Sequence, residues 1–303
     1  MPDALHDEDD PSMTRAATIA DTAPKKAPSR NLLARIWRHR AGSVGLSLIL
    51  LFFVMAVLAP FIAPYDPTVM HRGYELTGPS AQHWFGTDQY GRDLFSRVLY
   101  GLRTSFSLSF IAVSSGAAVG VVFGLMAGYF GGAVETVLMR VSDVLLPFPA
   151  ILLGIGLAAV IGVGTMSVAI AIAIVSIPVF ARITRASTLA EREKDYVEAT
   201  RALGMTTGRI MFRHILPNCI SPLLVQFSVA MAHAIIVEAG LSFLGVGTQP
   251  PTASLGAMLD TARGYMRSSP SFAIFPGLTI TLLLLGLNYL ADALRDITDP
   301  KKR

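Results

Sequence analysis

The chain has 303 residues, 52% of them hydrophobic and 15% charged. Soluble domains carry about 25% charged residues, so this deficit, with a positive mean hydropathy, excludes an ordinary soluble domain and indicates an integral membrane protein. The formal net charge of +4 does not call for a nucleic-acid partner, because where the charges sit matters more than their sum.

Residues 1–30 open acidic, Asp7-Glu8-Asp9-Asp10, and then turn to Ala, Thr, Pro and Lys. With few large apolar side chains to bury, they are expected to form a disordered cytoplasmic tail. They lack an apolar run near the start, so they do not read as a secretory signal peptide. From 31 to 40 the character changes, with Leu32, Leu33, Ile36 and Trp37 alternating with Arg35, Arg38 and Arg40. That pattern suits either a short amphipathic helix on the inner leaflet, its cations near anionic membrane lipid, or a plain cationic anchor before a span.

Six apolar segments follow, each near the ~20 residues needed to cross a bilayer, at about 42–62, 105–129, 133–160, 165–189, 219–241 and 272–292. The chain is therefore divided into the tail, a first unit over 31–100 (amphipathic segment, first span and outer loop), a transmembrane domain over 101–292 and a cytoplasmic tail over 293–303. In the second span Gly116, Gly120, Gly124 and Gly128 recur every fourth residue. They share one helix face, which can seat a neighbouring helix or line a pathway; packing is the commoner use. The third span carries Glu135, Arg140 and Asp143. Arg140 and Asp143 are spaced for an intrahelical ion pair, the favoured reading over a substrate contact. Pro147 and Pro149 remove backbone donors and should bend that span.

Between the first two spans lies H-W-F-G-T-D-Q-Y-G-R-D-L-F-S-R, residues 83–97. Gly86 and Gly91 punctuate it, and Asp88, Arg92, Asp93 and Arg97 are placed for local ion pairs, which at a surface add little. The residues alone allow a turn-rich connector or a charged contact surface. Residues 241–251, L-S-F-L-G-V-G-T-Q-P-P, are rich in Gly and Pro and should be irregular. Cys219, at the head of the fifth apolar segment, has no second cysteine for a disulfide or a C-x-x-C site and reads as a buried thiol.

The polar island at 196–218, Y-V-E-A-T-R-A-L-G-M-T-T-G-R-I-M-F-R-H-I-L-P-N, separates two long apolar segments. Tyr196 to Leu203 reads as a short helix of good helix formers, stopped by Gly204, which is free to adopt φ > 0. Thr206 or Thr207 can cap a second helix burying Ile210, Met211 and Ile215, and Pro217 favours a break after it. Glu198 is expected to hold the element through hydrogen bonds or an ion pair with a nearby arginine. The alternatives are a rigid helix–turn–helix that docks a partner, or a basic loop lying on the membrane. Lys and Arg flank the spans unevenly, 18 on the side of the termini and this island against 6 on the other. The bias places both termini and the island in the cytoplasm.

Several of these stretches resemble one family. Glu198-Ala199, Gly204 five residues after Ala199, and Ile215-Leu216-Pro217 resemble the EAA loop of ABC importer permeases, with Thr200 where the family usually has a second alanine. G-T-D-Q-Y-G-R-D-L-F-S-R at 86–97, S-D-V-L-L-P-F-P at 142–149, the 241–251 loop and L-R-D-I-T-D-P at 294–300 resemble the C-type permease subunit of dipeptide and oligopeptide importers. Residues 82–86 and 176–182 also look like the glutathione importer branch. The resemblance covers roughly 30–300. It implies an all-α integral membrane protein of about six transmembrane helices with the type I ABC importer permease fold. It implies that Glu198, Ala199, Gly204, Ile215, Leu216 and Pro217 seat the loop on an ATPase subunit. It places Gly86, Asp88, Gly91, Arg92, Asp93 and Arg97 on the outer face, where a periplasmic or lipid-anchored binding protein delivers substrate. The implied partners are a homologous B-type permease, two ATPase subunits that carry the ATP and Mg, and a short peptide, with glutathione or nickel as alternatives.

The chain has no G-x-x-x-x-G-K-[ST] phosphate loop, no G-x-S-x-G elbow and no metal-ligand spacing among its six histidines, so an enzyme reading has little to stand on and no cofactor is expected on this chain. The rival class is a self-sufficient secondary transporter, which should show a coupling carboxylate near the midplane and repeated halves. Glu238 is a weak candidate for the former, and the halves do not repeat.

Overall fold

The structure, a computed structural model, describes residues 32–298. The tail expected at 1–30 and the chain end from Asp299 lie outside the described residues. Among those described, all regular elements are helices. They are α1 (Leu32–Arg38), α2 (Arg40–Val57), α3 (Ala59–Ile62), α4 (Leu94–Phe130), α5 (Gly132–Leu145), α6 (Ala150–Ile161), α7 (Thr165–Arg192), α8 (Asp195–Ala202), α9 (Thr207–Phe243), α10 (Leu255–Arg263) and α11 (Ser271–Thr298). Five are long and apolar enough to cross a membrane, and α5 with α6 makes a sixth, broken crossing.

The first span ends earlier than expected. The helix breaks at Leu58, and Pro60 takes the second position of α3, where a missing N–H is harmless. The second starts eleven residues earlier than expected, at Leu94 rather than about 105. Asp93 caps it, its carboxylate accepting from the Ser96 N–H and hydroxyl, both at 2.8 Å. At 37 residues, α4 is about 55 Å long, against a hydrocarbon core of about 30 Å.

The four glycines of α4 lie against the backbone of α7. A Cβ at Gly120 would sit 2.5 Å from the Ile177 carbonyl oxygen, and one at Gly124 would sit 2.8 Å from the Arg185 nitrogen. The face serves packing. Small residues here let dispersion act between backbones in a setting where lipid offers no hydrophobic drive.

The third span is not a bent rod but two helices at 85°. Pro147 and Pro149 lack donors, and each disfavours helical backbone in the residue before it. The pair still carries the chain across. Arg192, at the end of α7, bonds the Gly128 carbonyl oxygen at 3.0 Å, just before α5 begins. Beyond α6, the Gly164 N–H reaches the Val246 carbonyl at 3.1 Å, at the opposite end of the bundle. The expected Arg140–Asp143 pair does not form. Asp143 instead meets Arg182 of α7 at 2.6 Å, and Glu135 meets Arg185. Arg140 is exposed and makes no ion pair among the described residues. The arginines of α7 face α5, so pairing between helices wins over pairing within one.

The core joins α2, α4, α7, α9, α10 and α11 through Phe52, Leu102, Val168, Ile235, Leu255 and Leu283. Large apolar side chains such as Phe53, Ile111, Leu152 and Val160 remain exposed, the surface expected of a chain with a lipid or subunit environment. Of the 241–251 stretch, the first three residues close α9; it is irregular as expected only from Leu244, and α10 follows it unannounced.

Candidate functional site

The 196–218 segment is a folded element. Helix α8 ends at Gly204, whose φ is +70°. The Gly204 N–H donates to the Arg201 carbonyl (2.9 Å) and the Met205 N–H to the Thr200 carbonyl (3.2 Å), the paired closure of a Schellman cap. Thr206, in extended geometry, precedes α9 but its side chain makes no cap bond. Pro217 does not break the next helix. A π-helical stretch, Ile210–Ile215, comes just before it, and the Leu216 N–H donates five residues back to the Met211 carbonyl. The widened turn removes the need for an N–H at 217, so the chain runs on into the span.

Beneath this element Val197, Ile210, Met211, Ile215 and Cys219 bury themselves on Leu125 of α4. A loop resting on a membrane surface would have no such core. The Tyr196 hydroxyl donates to Glu191 at 2.7 Å and accepts from Asn218 at 3.1 Å, tying the end of α7 to α9. Burial, then the Glu191 carboxylate, pushes its pKa up to about 12. Glu198 does not hold the element: it is exposed and has no side-chain bond among the described residues. Thr200, the departure from E-A-A, is buried with its hydroxyl on the Val197 carbonyl at 2.7 Å, so the extra polar atom is satisfied. Ile215 is buried, Leu216 half-buried and Pro217 exposed. The outward face presents Glu198, Ala199, Gly204 and two apolar side chains, Leu203 (76% exposed) and Phe212 (52%). Sequence reasoning missed Leu203 and Phe212. Their signal was an apolar residue on the polar side of a short amphipathic helix.

At the far end of α4 the charged loop is internal, not a surface. Asp88 accepts from Arg92 Nε at 2.6 Å and from the Tyr90 and Arg92 N–H groups at 2.9 Å, with Arg97 Nε at 3.5 Å. Arg97 also donates to the Pro67 carbonyl, and Asp93 pairs with His83 Nδ1, both at 2.9 Å. All four charged residues are under 10% exposed. Gly86 and Gly91 have φ of +83° and +73° and let the loop fold back on residues 71–78. The arrangement makes Asp88, Arg92, Asp93 and Arg97 the fastening of the loop; Trp84 and Tyr90 are what it exposes.

Residues 120–303 match the family described as binding-protein-dependent transport system inner membrane component, and residues 28–79 match the N-terminal transmembrane domain of oligopeptide transport permease C. The chain belongs to this permease family. It is 40% identical over 277 residues to a dipeptide transport system permease protein of Alkalihalophilus pseudofirmus, spanning 91% of both. It is 44% identical over 278 residues to a glutathione transport system permease protein of Pectobacterium atrosepticum, spanning 91% of this chain and 92% of that one. An inward-facing MetNI methionine ABC transporter shares the fold, with a TM-score of 0.54 at 17% identity over 68% of this chain and 98% of that chain. The permease is thus the membrane component of an ABC importer.

Two further features of the permease lie in its spans. Glu238 is fully buried and accepts from the hydroxyls of Ser105 (2.7 Å), Ser242 (3.0 Å) and Ser254 (3.1 Å). It clamps α9 to α4 and to the loop before α10. A cavity of about 290 Å³ opens between α7 and α9, closed on one side by Leu146 and Ala150.

Proposed function

We propose that this permease moves short peptides, glutathione among them, into the cytoplasm without hydrolysing ATP itself. It works with a homologous permease, two ATPase subunits and an external binding protein. The observation that carries the reading is the 196–218 element: a packed helix–turn–helix between two spans that shows a partner Leu203, Phe212, Glu198 and Ala199. Nucleotide-driven motion made on another chain has to enter here through such a contact, because only differential contacts shift a conformational equilibrium. The excess of Lys and Arg at the termini and around this element supports its placement, with both termini, in the cytoplasm. The relatives named for dipeptide and glutathione transport support the substrate class.

The test is reconstitution of the four kinds of subunit in liposomes. ATP-dependent uptake of a dipeptide or glutathione, abolished when the binding protein or the ATPases are omitted, is expected. Uptake by this chain alone without ATP would refute it.

A further inference from the structure

We propose that the cleft between α7 and α9 holds the peptide in transit, with His233 and Gln226 as the side chains that read its backbone. The proposal rests on the importer reading above. The cleft is built from matching stripes: Ile172, Ser176 and Val179 on α7, and Gln226, Val229 and His233 on α9. A second cavity of about 480 Å³ continues the same stripes through Ile183 and Pro222 toward the coupling element. Gln226 lines both. The first alone lies at the lower edge of typical ligand pockets, about 300–1,000 Å³, and the two together fall within that range.

The polar side chains of the cleft point to a polar occupant. An ionisable or amide side chain inside a span is costly and is expected to face a partner or a water-filled cavity. His233, exposed, and Gln226, half-buried, have no hydrogen-bond partner among the described residues, whereas the three serines around nearby Glu238 are all paired with it. Ser176 donates to the Ile172 carbonyl at 2.7 Å and keeps its acceptor side free. An imidazole and a carboxamide each carry two polar atoms that can hydrogen-bond a peptide group. The remaining support is mechanical. The 196–218 element follows the end of α7 and includes the start of α9, so force delivered there reaches both walls of this cleft.

The test uses the assembled complex in liposomes with dialanine, trialanine and glutathione as probes. His233→Ala and Gln226→Ala are each expected to raise the half-saturating peptide concentration roughly tenfold, the effect of losing one hydrogen bond. In parallel, His233→Cys and Gln226→Cys should react with a membrane-impermeant maleimide during turnover, and the probe peptides should slow that reaction. Unchanged uptake and peptide preference in both alanine variants would overturn the assignment. So would cysteines that never react, which would mean that lipid or a helix of the second permease seals the cleft. A wild-type complex that moves none of the probes would overturn the importer reading itself.

Discussion

Gly204 is where the coupling element is most sharply testable. A Cβ at this position would meet no atom within 4 Å, so a substitution there is penalised by backbone conformation and not by collision. Left-handed backbone costs a non-glycine residue about 1–2 kcal/mol, and a β-branched residue sits at the upper end. If the Gly204 and Met205 N–H bonds that close α8 are lost as well, each adds about 1 kcal/mol. Gly204→Val should therefore disfavour the native bend by about 2–4 kcal/mol, a shift of tens- to several hundred-fold against alternative bends. Gly204→Asn, whose side chain tolerates this region, should keep most of the function. Gly208→Ala is the control: it too has open space, but ordinary helical backbone, and should be neutral or slightly stabilising. The assay is ATPase activity and peptide uptake of the complex in liposomes at matched subunit stoichiometry. Uptake should be lost in Gly204→Val, by failed docking or futile hydrolysis, and retained in the other two. Wild-type uptake in Gly204→Val would mean that the bend does not set the ATPase contact.

Three more outcomes follow from the packing. Asp88→Ala strands the buried guanidinium of Arg92 and weakens the hold on Arg97, so it should destabilise the membrane domain by about 3–5 kcal/mol in thermal unfolding, whereas Trp84→Ala, on the exposed side, should leave stability alone and report on binding-protein contact through uptake. Gly124→Ala should cost about 1–3 kcal/mol by forcing α4 off α7, while Gly156→Ala, with open space around it, should not; midpoints of thermal aggregation in detergent compare them. Tyr196→Phe should lower the melting temperature by the same amount at pH 7 and pH 9: a hydroxyl raised from 10.0 to about 12 gives stability that is complete below pH 10 and fades only as pH rises toward 12. A deficit that shrinks between pH 7 and 9 would contradict that.

What could be read from the sequence tracks how local its physical cause is. Gly204 announced its turn because one residue type suits φ > 0, and the four-residue glycine repeat announced its face because helix periodicity is strict. The ion pairs were misassigned because pairing is decided by which helices come to lie together. Asp143 had Arg140 three residues away in sequence, yet α7 brought Arg182 closer in space. Burial of Asp88, Arg92, Asp93 and Arg97 was likewise invisible, because the loop that covers them comes from residues 65–78. The early start of α4 was legible in the Asp93-to-Ser96 cap spacing, overlooked because the stretch carries so many charges. Pro217 misled because a π-helical stretch upstream can absorb a proline, and nothing in the sequence marks that stretch.

The glycine seam has a mechanical consequence. With only glycine on the α4 side of the seam, its backbone lies directly against the backbone and the Ser176, Phe180, Thr184 and Thr188 Cβ atoms of α7, and the two helices pack as one strut. Its upper end is fastened into the Asp88–Arg97 knot and its lower end carries the floor, Leu125, on which the coupling element is built. The outer loop and the 196–218 element are therefore anchored to opposite ends of one helix pair. Both walls of the cleft carry an interior proline, Pro178 in α7 and Pro222 in α9, but α9 alone adds a π-helical stretch at the end where the 196–218 element joins it, so the hydrogen-bond ladder is most interrupted on the wall that carries Gln226 and His233.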